Sequence, residues 1–130
     1  MERDDSYGLA ALGMAGAYTV EVLSHPDRSW VLAIESPDWC FHFELTGPGA
    51  VHELAGFLRS HAGRTVFAEL TIGSFHGAAV WMVKDDEQAD RLFLRAAGRG
   101  SLVDFTLVEE SARDFTASVA RAAEEFGIPD

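Results

Sequence analysis

Trp39-Cys40-Phe41-His42-Phe43-Glu44-Leu45 alternates at every position, with Trp39, Phe41, Phe43 and Leu45 in one set and Cys40, His42 and Glu44 in the other. Successive side chains of a strand leave on opposite faces, so this stretch predicts a half-buried strand with a large aromatic underside. Four bulky apolar residues on one face need a cover. Two amphipathic segments can supply it. Val51, Leu54, Phe57 and Leu58 recur at helical spacing, as do Ala112, Phe115, Val119, Ala122 and Phe126 further on.

Working back from that strand, Tyr18 to Leu23 alternates and is β-rich, and Trp30 to Ile34 is apolar on both faces, the pattern of a strand covered on both sides. His25-Pro26-Asp27 and Ser36-Pro37-Asp38 read as turns. Residues 1–16 are polar and then Gly/Ala-rich, without usable periodicity, and are expected to form a loose N-terminal arm to a single domain over 17–130.

Working forward, Thr46 is placed to cap the first helix, Pro48 suits its first turn and Gly63 its end. A strand is expected over 64–72, with Val66, Ala68, Leu70 and Ile72 on one face, and Gly73 to Gly77 as the connection to a strand over 79–83. Asp85-Asp86-Glu87 reads as an exposed turn, followed by strands over 91–96 and 102–108 around Gly98 and Gly100. Ser111 with Asp114 suggests a capping box for the last helix, closed by Gly127 and Pro129. The order βββα-ββββα predicts an α+β domain: a mainly antiparallel sheet of about seven strands with two helices on one face. That face carries Phe41, Phe43, Phe105 and Leu107.

The chain of 130 residues is the size of one domain and needs no staple. Ten basic against twenty-one acidic residues give a formal charge of -11, which repels phosphate backbones and argues against nucleic acid as a partner. A basic protein partner is electrostatically favoured. Lys84 is the only lysine among many arginines, and with abundant Ala and Gly this suggests a GC-rich bacterial source. Cys40 stands alone, so no internal disulfide can form. Leu9 to Ala17 ends like a signal-peptide cleavage box, but acidic residues precede it where positive charge is needed. No apolar run is long enough to span a membrane, so a cytoplasmic, membrane-free protein is expected.

By alternation, the sheet face away from the helices carries His42, Glu44, Phe67, Glu69, Trp81, Phe93 and Asp104, a candidate surface for a partner, a ligand or a second copy. No catalytic residue, metal site or cofactor is assigned. Cys40, His42 and Glu44 share a strand face without a complementary ligand cluster, and Cys40 is expected to be an inert, partly buried thiol. Gly73-Ser74-Phe75-His76-Gly77 departs from the nucleophile-elbow pattern, and Asp85, Asp86, Glu87 and Asp90 lack calcium-loop spacing. The leading expectation is a small acidic, non-enzymatic protein-binding domain, an inhibitor or immunity-type protein for a basic partner. The alternatives are a homodimeric module and a small-molecule or enzymatic pocket on the open face around His42, Glu44 and Glu69.

Overall fold

A computed structural model describes residues 8–24, 29–98 and 101–127 of the chain. Eight strands lie in sequence order in one antiparallel sheet: β1 (Gly8–Ala15), β2 (Tyr18–Ser24), β3 (Trp30–Glu35), β4 (Cys40–Leu45), β5 (Ala68–Phe75), β6 (Ala78–Lys84), β7 (Arg91–Gly98) and β8 (Ser101–Val108). Helix α1 (Ala50–His61) follows β4 and α2 (Glu110–Glu125) follows β8. The α+β class, the antiparallel sheet and the two helices agree with the sequence, and the strand count is one higher.

The added strand is β1, which takes residues 8–15 out of the expected arm; residues 1–7 lie outside the described ones. Its small residues concealed it. Gly13 faces α2 so closely that a Cβ there would stand 2.0 Å from the Ser118 carbonyl oxygen and 2.5 Å from the Ala122 nitrogen. Helix packing therefore selects glycine and alanine where β propensity would select branched residues.

The helix-bearing face buries Val20, Val22, Leu32, Ile34, Phe41, Phe43, Leu45, Ile72, Val80, Met82, Leu94 and Leu107 beneath Leu54, Leu58, Phe115 and Val119. Phe41, Phe43 and Leu107 thus sit where alternation puts them, and Phe105 packs against the same core. Phe105 also stacks on Trp39 at 4.0 Å and meets Phe41 at 5.5 Å between ring centroids. In a flat sheet β4 and β8 stand four strand spacings apart, about 19 Å. The sheet therefore coils around its helix-bearing face, and its outer face is convex.

One junction is thin. β4 and β5 share only the pairs Glu44↔Ser74 and Leu45↔Gly73, extended by a 3.0 Å bond from the Thr46 N–H to the Ile72 carbonyl. The chain is thus two ββββα halves joined at a narrow seam, but the helices do not keep to their own halves. α2 lies on β1 and β2, where Ser118 Oγ donates to the Tyr18 carbonyl at 3.1 Å and Phe115 meets the Tyr18 ring edge-on. α1 lies against β5 and α2.

Several local expectations shift for identifiable reasons. Thr46 does not cap α1, because its backbone is held in the seam; Gly49 occupies the cap position without a side-chain bond. Ser111 lies inside the first turn of α2, since Glu109 turns at φ 51° and its N–H donates to the Asp90 carbonyl at 2.7 Å. β5 starts at Ala68 and runs through Gly73, Ser74 and Phe75, aided by a bulge between Thr71 and Gly73. Its connection to β6 is only His76-Gly77, with φ of 49° and 83°, the backbone of a type I′ hairpin turn. The expected bend at Gly98 and Gly100 falls partly on residues outside the described ones, as do Pro26 and Pro129.

Candidate functional sites

The outer sheet face has two chemically different halves. Over β1 to β4, the register aligns Leu9–Leu23–Val31–Glu44, then Leu12–Glu21–Ala33–His42, then Met14–Thr19–Glu35–Cys40. Leu9 and Met14 are each 60% exposed and Leu12 is 38% exposed. Three glutamates thus stand among exposed apolar residues, with no lysine or arginine on any of these strands.

Over β5 to β8 the rows run Glu69–Val83–Phe93–Thr106 and Thr71–Trp81–Arg95–Asp104. Here basic residues cover one of the aromatics. Phe93 has the Arg91 guanidinium 5.6 Å and the Arg95 guanidinium 5.0 Å from its ring centre. Arg95 Nε lies 3.3 Å from Asp104 Oδ2 but makes no hydrogen bond, leaving that N–H buried and unsatisfied. Trp81 is half-buried, and Phe67 is 56% exposed in the segment before β5.

The structure therefore brings together two subsets of the sequence-selected residues. Trp81 and Asp104 share one row, and Glu69 and Phe93 share the next, while His42 and Glu44 stand on β4. The trio His42, Glu44 and Glu69 does not converge. Glu44 pairs with Ser74, so Glu69 lies five positions further along β5, roughly 15 Å away along the strand, and His42 lies in the opposite direction.

A concave site does exist, on the other side of the sheet. Between α1 and α2, over the ends of β6 and β7, lies a cavity of about 280 Å³. Leu58 and Ala55 line it from α1, Ala112, Ala117 and Ala120 from α2, and Leu92 from the sheet. Lys84, also in its lining, is 2% exposed; its ammonium donates to the carbonyls of Arg64, Asp85 and Gln88. Burial holds the Lys84 amine below its usual range, against the opposing pull of Asp85, Asp90 and Asp86.

Beside it, Asp85 is buried, contrary to the exposed turn its neighbours suggest. Burial pushes its carboxyl up, but the Gln88 amide at 2.9 Å and the Arg91 guanidinium, with Nη2 at 2.7 Å, outweigh that and hold it below the usual carboxylate range. Asp90 binds Arg113 at 2.9 Å, and both line the cavity. Sequence reading missed this site because its walls are an alanine stripe and its one lysine ends an otherwise apolar strand. The single usable signal was that lone lysine.

The remaining candidates are accounted for locally. His52 Nε2 lies 2.7 Å from the Phe126 carbonyl and His61 Nδ1 2.7 Å from the Phe57 carbonyl, so both fasten helix ends. Cys40 is exposed on the outer face, not partly buried, because β4 presents it opposite Glu35 on the helix-free side. Ser74 faces outward between Glu44 and Ala79, and the His76 ring meets Phe75 edge-on at 4.4 Å. Among the described residues no cluster of three metal-ligating side chains occurs, and no helix is long and apolar enough to cross a membrane. Comparison with protein-family models, curated proteins and solved structures finds no match to this chain.

Proposed function

We propose that this chain is a small acidic, non-enzymatic protein-binding domain that docks a basic partner on the outer face of β1 to β4, as an inhibitor or immunity-type protein would. The observation that carries this is the composition of that half-face: Glu21, Glu35 and Glu44 interleaved with exposed Leu9, Leu12 and Met14, on strands that carry no lysine or arginine. Acidic charge speeds encounter with a cationic surface, and the apolar residues supply desolvated contacts once docked. The other half-face, where Arg91 and Arg95 cover Phe93, is less suited to a cation.

Capture from the lysate of the source organism tests this. The expected result is a stoichiometric basic protein that moderate salt partly releases. Its association with the double variant Glu35→Lys, Glu44→Lys should slow by about tenfold at low salt while the variant stays folded. Bait alone at low salt would overturn the proposal.

A specific observation also favours self-association. Among the described residues β1 is an edge strand that pairs only with β2, and Gly8–Ala15 contains neither a charged residue nor a proline. Such an edge leaves backbone donors and acceptors open to a second strand, and antiparallel β1–β1 pairing would satisfy a two-fold dimer. Light scattering should then give twice the chain mass, reduced to the monomer by Leu12→Lys. A monomer at high concentration excludes this mode.

A further inference from the structure

We propose that the cavity between α1 and α2 binds a small amphiphilic carboxylate, its apolar body inward and its carboxylate at Arg59. The site lies on the opposite side of the sheet from the partner-docking face and is independent of it. At about 280 Å³ the cavity is at the lower end of small-molecule sites, suited to a short acyl chain or a single substituted ring. Its interior asks for an apolar occupant. Leu58 and Leu92 face the alanines of α2, whose short side chains create the space between the helices.

The one cation inside, Lys84, is already committed. Its three N–H groups are matched by three backbone carbonyls, so it presents its aliphatic stem to the cavity and offers no free donor to a ligand. Charge recognition is therefore left to the part of the lining that reaches solvent, the mouth, formed by exposed Arg59, by Arg113 and by Asp90. Arg113 and Asp90 are bound to each other at 2.9 Å, whereas Arg59 has no ion-pair partner among the described residues. The mouth thus carries one surplus positive charge on a chain of formal charge -11. One surplus guanidinium matches a singly charged, planar carboxylate better than a doubly charged phosphate, and its fork of donors fits that group's two oxygens.

Isothermal titration of the full chain with octanoate, octan-1-ol and octylammonium tests the proposal. Octanoate should bind saturably with one equivalent per chain, about tenfold more tightly than octanol, and octylammonium should not bind. Ala117→Phe, which fills the cavity, should abolish octanoate binding with the circular dichroism spectrum retained. Arg59→Gln, at an exposed position, should weaken octanoate about tenfold and leave octanol unchanged; it decides the matter even if the filling variant does not fold. Absence of saturable octanoate binding, equal affinity for octanoate and octanol, or octanoate affinity unmoved by Arg59→Gln would each overturn the proposal.

Discussion

Gly73→Ala is expected to destabilise the chain by about 3–4 kcal/mol, read as a shift of the denaturant midpoint at unchanged slope. The methyl group would stand 2.0 Å from the Glu44 carbonyl oxygen and 2.8 Å from the Phe43 ring. Backbone cannot swing aside as a side chain can. Gly73 also belongs to one of the two register pairs that join β4 to β5, so relief of the clash must loosen the seam itself. Gly47→Ala is the control: nothing lies within 4 Å of the added carbon, and the change should stay within about 0.5 kcal/mol. A Gly73→Ala chain as stable as the parent would show that the halves do not depend on close β4–β5 contact.

The second large effect is that of Lys84→Met. The substitution keeps much of the stem's volume but strips the donors from three carbonyls, those of Arg64, Asp85 and Gln88. Hydrogen bonds from a charged donor and the cost of orphaned acceptors together suggest a loss of about 3 kcal/mol, or about 10 °C in Tm. Buried ammonium groups are also costly in themselves, so replacement could in principle stabilise a site without such partners. Here the partners decide the sign. The pH dependence gives a second readout. Because the folded amine is held below 10.5, the native state releases its proton before the unfolded state does. Stability from this group therefore rises with pH between the folded value and 10.5, and the gap between parent and Lys84→Met should widen across that window. A gap that narrows there would mean Lys84 is not desolvated in the fold.

What the sequence conveyed and what it hid follow from the same physics. β4 was readable because each inward side chain is large and each outward one polar, and α2 because Phe115, Val119 and Phe126 repeat on one face. β1 was not, since Gly13 and its neighbours answer to a helix backbone more than 100 positions later, a constraint no local pattern displays. Capping by Thr46 and Ser111 failed for a related reason: both helix starts are set by backbone bonds made elsewhere, at Ile72 and at Asp90. Of the outer-face residues, Phe67 precedes β5, while His42, Glu44, Glu69, Trp81, Phe93 and Asp104 lie on strands, where alternation sets their side. Their neighbours across strands were not readable, because a bulge at Thr71/Gly73 and the short β4–β5 ladder fix the register. The cavity was hidden because alanines advertise nothing: the same stripe would serve two helices in contact.

The placement of α2 over β1 and β2 has a consequence for how the chain comes off the ribosome. Val20 and Val22 emerge well before the helix that covers them, which contains Phe115, Val119 and Ala122. Until that helix has been made, the first hairpin must wait with its apolar side uncovered, a state in which nascent chains recruit chaperones. Contacts between β1 and α2 also raise the mean sequence separation, so folding should be slow for a domain of this size. A circularly permuted chain that begins with α2 would place that helix beside β1 from the outset, and should fold while still being made.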